Sequence, residues 1–384
     1  MNVRSQSVRL GKMLEDRERK FVRQSEEFVV TALHEFRATE NPYTLPQIAE
    51  RRAFPLRPVL IEDFRSLAPD QRRMIAEAYY GENGVAYCII LNPADKPTEG
   101  HPLLDLAAAL ASELPLRFPL SHPMEGHREA VSRFGAADGT LKIYDLDTKD
   151  ARVSYREQAE TSEMFAAHND GLGYAGAVEA VAFYMDSPPL WGGYTYFQNL
   201  VRLAIDLMRS DDEAFRALFL PNAITAIRPR GKGAIKVTSP VLFLNSCRRP
   251  QCFYRVSTGE YQIIWRKDSP ALERARGFLD SHTYPFALGS SFVHFTAAGH
   301  CCFVRNEAVV HGRTQFLDIA TPGPTRVLAR KWFMRDPKDA VYKHVPGMEI
   351  CHEYAALYPE VFGADRLVGE WNYNPTTDQN VRNQ

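Results

Sequence analysis

No stretch of the 384-residue sequence approaches the roughly eighteen consecutive apolar residues that a membrane-spanning helix needs. The chain also lacks any excess of charge: 46 Lys and Arg oppose 47 Asp and Glu, a net charge of -1. That balance excludes a strongly basic nucleic-acid binder. The six cysteines (Cys88, Cys247, Cys252, Cys301, Cys302 and Cys351) contain no CxxC pair and no regular framework. Neither a disulfide scaffold nor a Cys-rich zinc module fits, and scattered thiols in a long chain predict a reduced, cytoplasmic protein. Cys301 and Cys302 are expected to be buried on opposite faces of one strand, because neighbours in a strand point apart. The opening residues Met1 to Gln6 have no apolar segment, so no secretory signal is expected. Internal repeats are absent, and no linker divides the chain.

What is present is ordinary globular composition, 45% hydrophobic and 24% charged. Leu14, Phe21 and Phe28 recur every seven residues, with charges from Glu15 to Lys20 on the other face. This predicts an N-terminal helical extension over residues 1–45, either packed on the body or forming a homodimer contact. Pro42, Pro46, Pro55 and Pro58 mark the entry to a main domain over residues 46–369. Residues 370–384 read as a polar tail. Helices are expected at Pro69–Tyr80, Leu103–Leu114, Leu200–Leu218 and Ala271–Ser281. Short β-like runs dominate elsewhere: Val85–Leu91, Leu141–Tyr144, Val178–Met185, Ala234–Val237, Val241–Leu244, Tyr261–Trp265, Phe292–Phe295, Cys302–Arg305, Ala308–Val310 and Arg326–Met334. The class is mostly β with helical decoration, a sandwich or barrel.

His168-Asn169-Asp170 sets an imidazole and a carboxylate two residues apart. In an extended segment both side chains share a face and can reach one ion. Nitrogen with hard oxygen suits Fe(II), Mn(II) or Zn(II). The pair alone says little, since composition predicts roughly one such match by chance. A second match, His127-Arg128-Glu129, lies in a polar stretch and reads as surface. What sets His168 apart is its company: the apolar run Val178–Met185, the turn Gly192-Gly193-Tyr194-Thr195, the segment Val309-Val310-His311-Gly312-Arg313, and Arg326-Val327-Leu328-Ala329-Arg330. In a strand, Arg326, Leu328 and Arg330 point the same way.

This ordered set resembles the Fe(II)/2-oxoglutarate-dependent dioxygenases, in particular the branch with taurine dioxygenase, clavaminate synthase and the amino-acid β-hydroxylases. The resemblance implies a double-stranded β-helix, the cupin-like jelly roll, with a metal at one open end. It implies that His168, Asp170 and His311 ligate iron, and that Thr195 and Arg326 hold the distal carboxylate of 2-oxoglutarate. Arg330 matches a position facing the cosubstrate or an anionic group of the substrate. The implied activity is oxidation, foremost hydroxylation, of an unactivated C–H bond in a small polar molecule such as an amino acid or biosynthetic intermediate. Dioxygen is consumed, and succinate and CO2 are released. Desaturation or cyclisation would use the same residues. An aspartate at position 170 argues against the related halogenases, which have a small residue there. Three departures from the family pattern are Arg305-Asn306-Glu307 before the distal histidine, Gly299-His300 at the start of that strand, and a gap from His311 to Arg326 slightly longer than in the amino-acid hydroxylases. The competing expectations are a non-catalytic jelly-roll binding protein and a zinc hydrolase. The latter has no evident use for Arg326 and Thr195.

Overall fold

A computed structural model describes residues 52–98, 100–120, 140–145, 158–174, 176–230, 233–244, 250–258, 261–318, 326–334, 348, 350, 351, 368 and 369. The expected N-terminal helix with its dimer contact, His127 and the polar tail all lie outside the described residues.

Two sheets face each other. The larger runs in the order Val59–Ile61, Val85–Ile90, His300–Arg305, Val178–Ser187, Val327–Met334, Phe118–Leu120, and Leu141–Ile143 also pairs with Val327–Met334. The smaller runs Phe54–Pro55, Ser291–Val293, Thr195–Asn199, Val309–Arg313, Phe165–His168. Strands distant in sequence are neighbours throughout. Val178–Ser187, for instance, lies antiparallel between His300–Arg305 and Val327–Met334. This is the jelly roll the motif order implies, mostly β with a few helices on its outside.

Side-chain alternation explains why the large sheet reads as nearly continuous apolar sequence. Val181, Phe183 and Met185 point into the core between the sheets with Val304, Leu328 and Trp332. Ala180, Ala182 and Tyr184 point the other way, into a second cluster under the helices Pro69–Tyr80 and Pro102–Ala109. A strand covered on both faces has no polar side to show. Cys301 belongs to the outer cluster and Cys302 to the inner one. Both thiols are buried, on opposite faces as alternation requires.

Helix Pro69–Tyr80 has the expected limits, with Gln71 Oε1 accepting from the Ala68 amide at 2.9 Å. The second helix stops at Ala109 rather than Leu114. The long helix expected over Leu200–Leu218 is two, Leu200–Ser210 and Asp212–Ala217. Asp211 breaks it by turning extended and accepting the Ala214 amide at 2.9 Å, the N-cap role short acidic side chains favour. Among the described residues no helix is long and apolar enough to cross a membrane.

Gly312 fixes how closely the small sheet packs beside its histidines. A Cβ there would lie 2.6 Å from the Phe165 carbonyl oxygen and collide with the Tyr196 hydroxyl. The pairing between Val309–Arg313 and Phe165–His168 shifts register at this residue. Gly312→Ala is therefore expected to lower stability by about 1–3 kcal/mol in urea denaturation. Unchanged stability would show that the strands can separate without cost.

Candidate metal centre

His168 ends its strand, and His311 is its direct partner across the small sheet. The two rings lie 4.5 Å apart between centroids. Asp170 follows His168 on the turn leading to Gly171, and all three side chains are buried. One donor atom from each lies within 4.8 Å of the other two. Residues 143 apart in sequence are thus brought to one point by a single strand pairing.

The imidazole tautomer can be read from its partner. His168 Nδ1 is 2.9 Å from the Ala166 carbonyl oxygen, so it is the nitrogen that donates. That leaves the Nε2 lone pair facing Asp170 Oδ1 at 3.3 Å, with no hydrogen-bond geometry between them. Two electron-rich atoms this close repel unless a cation stands between them. His311 Nε2 faces Asp170 Oδ2 at 4.0 Å. The charge states agree with ligation. Burial, reinforced by Arg255, lowers the pKa of His168, and burial with the neighbouring His168 brings His311 down to about 3. Both rings are therefore neutral donors at ordinary pH. For Asp170, burial pushes upward, but the charge of Arg330 outweighs it and the carboxyl is held well below the usual carboxylate range.

Asp170 is also held from outside. Arg330 Nη1 lies 3.3 and 3.2 Å from its two oxygens, and Trp332 Nε1 donates to Oδ2 at 2.7 Å. Arg330, which the resemblance sets toward the cosubstrate or an anionic group of the substrate, instead hydrogen-bonds the Asp170 carboxylate. Alternation along Val327–Met334 explains the arrangement, since Leu328, Arg330 and Trp332 share the inward face.

Asn306 does what the sequence reading did not anticipate. Its Oδ1 accepts the Asp170 amide at 2.8 Å, and its Nδ2 donates to the carbonyls of Asp170 at 3.0 Å and Val178 at 2.8 Å. One buried side chain pins the backbone that carries the carboxylate. Asn306→Ala would orphan these groups and is expected to cost about 2–4 kcal/mol of stability in chemical denaturation, and to weaken metal binding. A variant with wild-type stability would mean that water replaces the side chain. Asn169 is likewise structural: it donates to the carbonyls of Asn306 and Val309 at 2.7 and 3.1 Å.

Thr195 is buried at the start of strand Thr195–Asn199, opposite Arg313 and Val293, and is not part of the preceding turn. Arg326 is fully buried, 1% exposed, with its guanidinium 4.9 Å from the Phe316 ring. A Cβ on Gly193, two residues before Thr195, would sit 3.9 Å from its Nε. Arg326 Nε and Nη1 have no hydrogen-bond partner among the described residues. Burial lowers its pKa to about 10, so it remains charged at neutral pH. A buried, under-bonded cation is costly and calls for an anion. Arg313 differs: it stacks on the same ring at 4.6 Å but donates to the carbonyls of Ala159, Thr161 and Glu163.

Beside His168 and Asp170 opens a small pocket that is partly open to solvent. Its wall includes Phe165, Gly171, Arg228, Arg255, Tyr261 and Trp332. Arg228, Arg255 and Tyr261 come from the chain that follows strand Thr195–Asn199 and its helices. His294 and Arg266 are not part of this wall: His294 bonds the Gly192 carbonyl at 3.1 Å, and Arg266 pairs with Asp268.

Residues 108–332 match the family model described as taurine catabolism dioxygenase TauD, TfdA family. The chain belongs to the TauD, TfdA family. It is a non-haem iron dioxygenase that uses 2-oxoglutarate and dioxygen, as the resemblance implies. No curated protein matches it. Solved structures similar to this TauD-family chain include an asparagine oxygenase in complex with Fe(II), 2S,3S-3-hydroxyasparagine and succinate (17% identity, 72% of this chain and 83% of that one, TM-score 0.48). A taurine dioxygenase from Burkholderia xenovorans is 16% identical over 75% of this chain and 89% of that one, TM-score 0.45. The oxygenase OrfP, in complex with Fe, succinate and (3S)-hydroxy-L-Arg, is 16% identical over 71% and 82%, TM-score 0.48.

Proposed function

We propose that this TauD-family protein hydroxylates an unactivated C–H bond of an amino acid or a closely related small polar molecule. The observation that carries the reading is the mutual approach of three buried donor atoms, with the His168 lone pair set against the Asp170 carboxylate. His168, Asp170 and His311 would hold Fe(II), the facial set that leaves positions free on the metal. Thr195 and Arg326 would receive the distal carboxylate of 2-oxoglutarate. When bound, iron and 2-oxoglutarate supply the oxidation of the C–H bond, with release of succinate and CO2.

The chain's own residues prepare that chemistry. Ala166 fixes the tautomer of His168 through its carbonyl. Arg330 and Trp332 keep Asp170 ionised and oriented. The guanidinium of Arg326 matches a carboxylate in two parallel hydrogen bonds and so fixes the direction of the cosubstrate. The aromatic rings of Phe165, Tyr261 and Trp332 form part of the pocket wall. The amino-acid class follows the motif resemblance to the amino-acid hydroxylases, and the buried thiols accord with a reducing, cytoplasmic setting.

The test is a succinate-release screen across amino acids and small acids with Fe(II) and 2-oxoglutarate, followed by mass spectrometry of the product. Iron-dependent succinate and a product heavier by one oxygen are expected. A product lighter by two hydrogens would assign desaturation or ring closure. A protein that binds no 2-oxoglutarate would be a binding protein, and hydrolysis without oxygen would make it a hydrolase.

A further inference from the structure

Resting on the oxygenase reading, we propose that Arg255 anchors an oxyanion carried by the substrate, so that the substrate is an acidic small molecule. Arg255 is 6% exposed, yet it forms part of the pocket wall with His168 and Asp170. Its backbone forms a bridge to His168, and the next amide, of Val256, donates to the Ala167 carbonyl at 3.0 Å. The guanidinium carbon lies over both rings, 3.9 Å from the Tyr261 ring centre and 5.3 Å from that of Phe165. Main chain and rings together fix where the charge sits.

Among the described residues no carboxylate pairs with Arg255, and its buried Nε has no hydrogen-bond partner. Stacking on aromatic faces offsets only part of the desolvation cost of a guanidinium, and it leaves the N–H edge free. Of the charged residues on the wall, Arg228, Arg255 and Arg330 face a single carboxylate, Asp170. Arg330 is already engaged with that carboxylate. The surplus positive charge at Arg255 favours a molecule that brings an oxyanion and disfavours a cationic one. Arg326 cannot be the same site, because it lies against Gly193 and Phe316, neither of which borders this pocket. A planar carboxylate and a tetrahedral phosphate could both meet the guanidinium edge.

The experiment uses the full chain loaded anaerobically with Fe(II) and 2-oxoglutarate. Calorimetry compares L-glutamate with L-glutamine, L-aspartate with L-asparagine, and O-phospho-L-serine with L-serine. At least one acidic member is expected to bind about tenfold or more tighter than its neutral partner. Whether a carboxylate or the phosphate wins identifies the oxyanion. Arg255→Gln is expected to bring the ratio to within about twofold of unity, while Arg255→Lys keeps part of it as a point charge. The proposal is overturned if no acidic probe outbinds its partner, including the case where none binds, or if the preference survives in Arg255→Gln. Affinity for 2-oxoglutarate is measured first in every protein. Failure of the wild-type chain at that step would strike the oxygenase reading; normal cosubstrate binding with no acid preference would strike this proposal alone.

Discussion

Asp170→Ala should abolish iron-dependent succinate release and destabilise the protein at the same time. The carboxylate is the sole anionic ligand of the proposed iron site, so affinity for Fe(II) should fall by more than about a hundredfold, the upper range for loss of an outer-sphere partner. The stability loss has a separate cause. Arg330 would keep its buried charge without the oxygens at 3.2 and 3.3 Å, and the Trp332 Nε1 proton would lose its acceptor at 2.7 Å. Removing one member of a buried ion pair costs about 3–5 kcal/mol. Metal analysis and chemical denaturation of the metal-free protein separate the two effects. Wild-type stability in the metal-free variant would show that Arg330 gains nothing from Asp170, and retained turnover would remove Asp170 from the ligand set.

Arg326→Leu should behave in the opposite sense towards stability. The guanidinium is buried with two nitrogens unbonded among the described residues, so an apolar replacement relieves a desolvation cost. The metal-free, cosubstrate-free protein is expected to gain about 1–3 kcal/mol. Binding of 2-oxoglutarate should weaken by about 2–5 kcal/mol, at least about thirtyfold in Kd, because its far carboxylate would face no cation. The clearest readout is thermal denaturation with and without 2-oxoglutarate: a higher starting Tm and a lost ligand-induced rise. A lower starting Tm together with an intact rise would place the cosubstrate elsewhere.

The pair states a general point about the site. Asp170 and Arg326 are both buried charges, but among the described residues Asp170 is hydrogen-bonded by Arg330 and Trp332, while two guanidinium nitrogens of Arg326 have no partner. A side chain whose removal stabilises the empty protein is kept for something that binds.

Much of this was legible in the amino-acid order. Strands Val85–Ile90, Val178–Ser187 and Val327–Met334 could be found because apolar runs bounded by turns signal fully covered strands. His168, Asp170 and His311 could be named because resemblance orders them, although spacing alone could not separate His168 from His127. Other features were hidden for physical reasons. Thr195 begins a strand, yet the two glycines before it read as a loop. Asp211 ends a helix by its conformation, which an amphipathic pattern crossing it does not reveal. Asn306 acts on Asp170 across 136 residues, and Arg255 meets the His168 strand through a single bridge. Long-range contacts of this kind leave no periodic trace.

The two histidines stand on the small sheet, while Arg330 stands on the large one and Arg326 immediately precedes its strand. A partly melted molecule that kept one sheet would retain either the imidazoles or the guanidiniums in place, never both. Catalysis in this protein is then a sensor of sheet-to-sheet assembly: on gradual heating, turnover should vanish with the first parting of the layers, while helix content still reads as native.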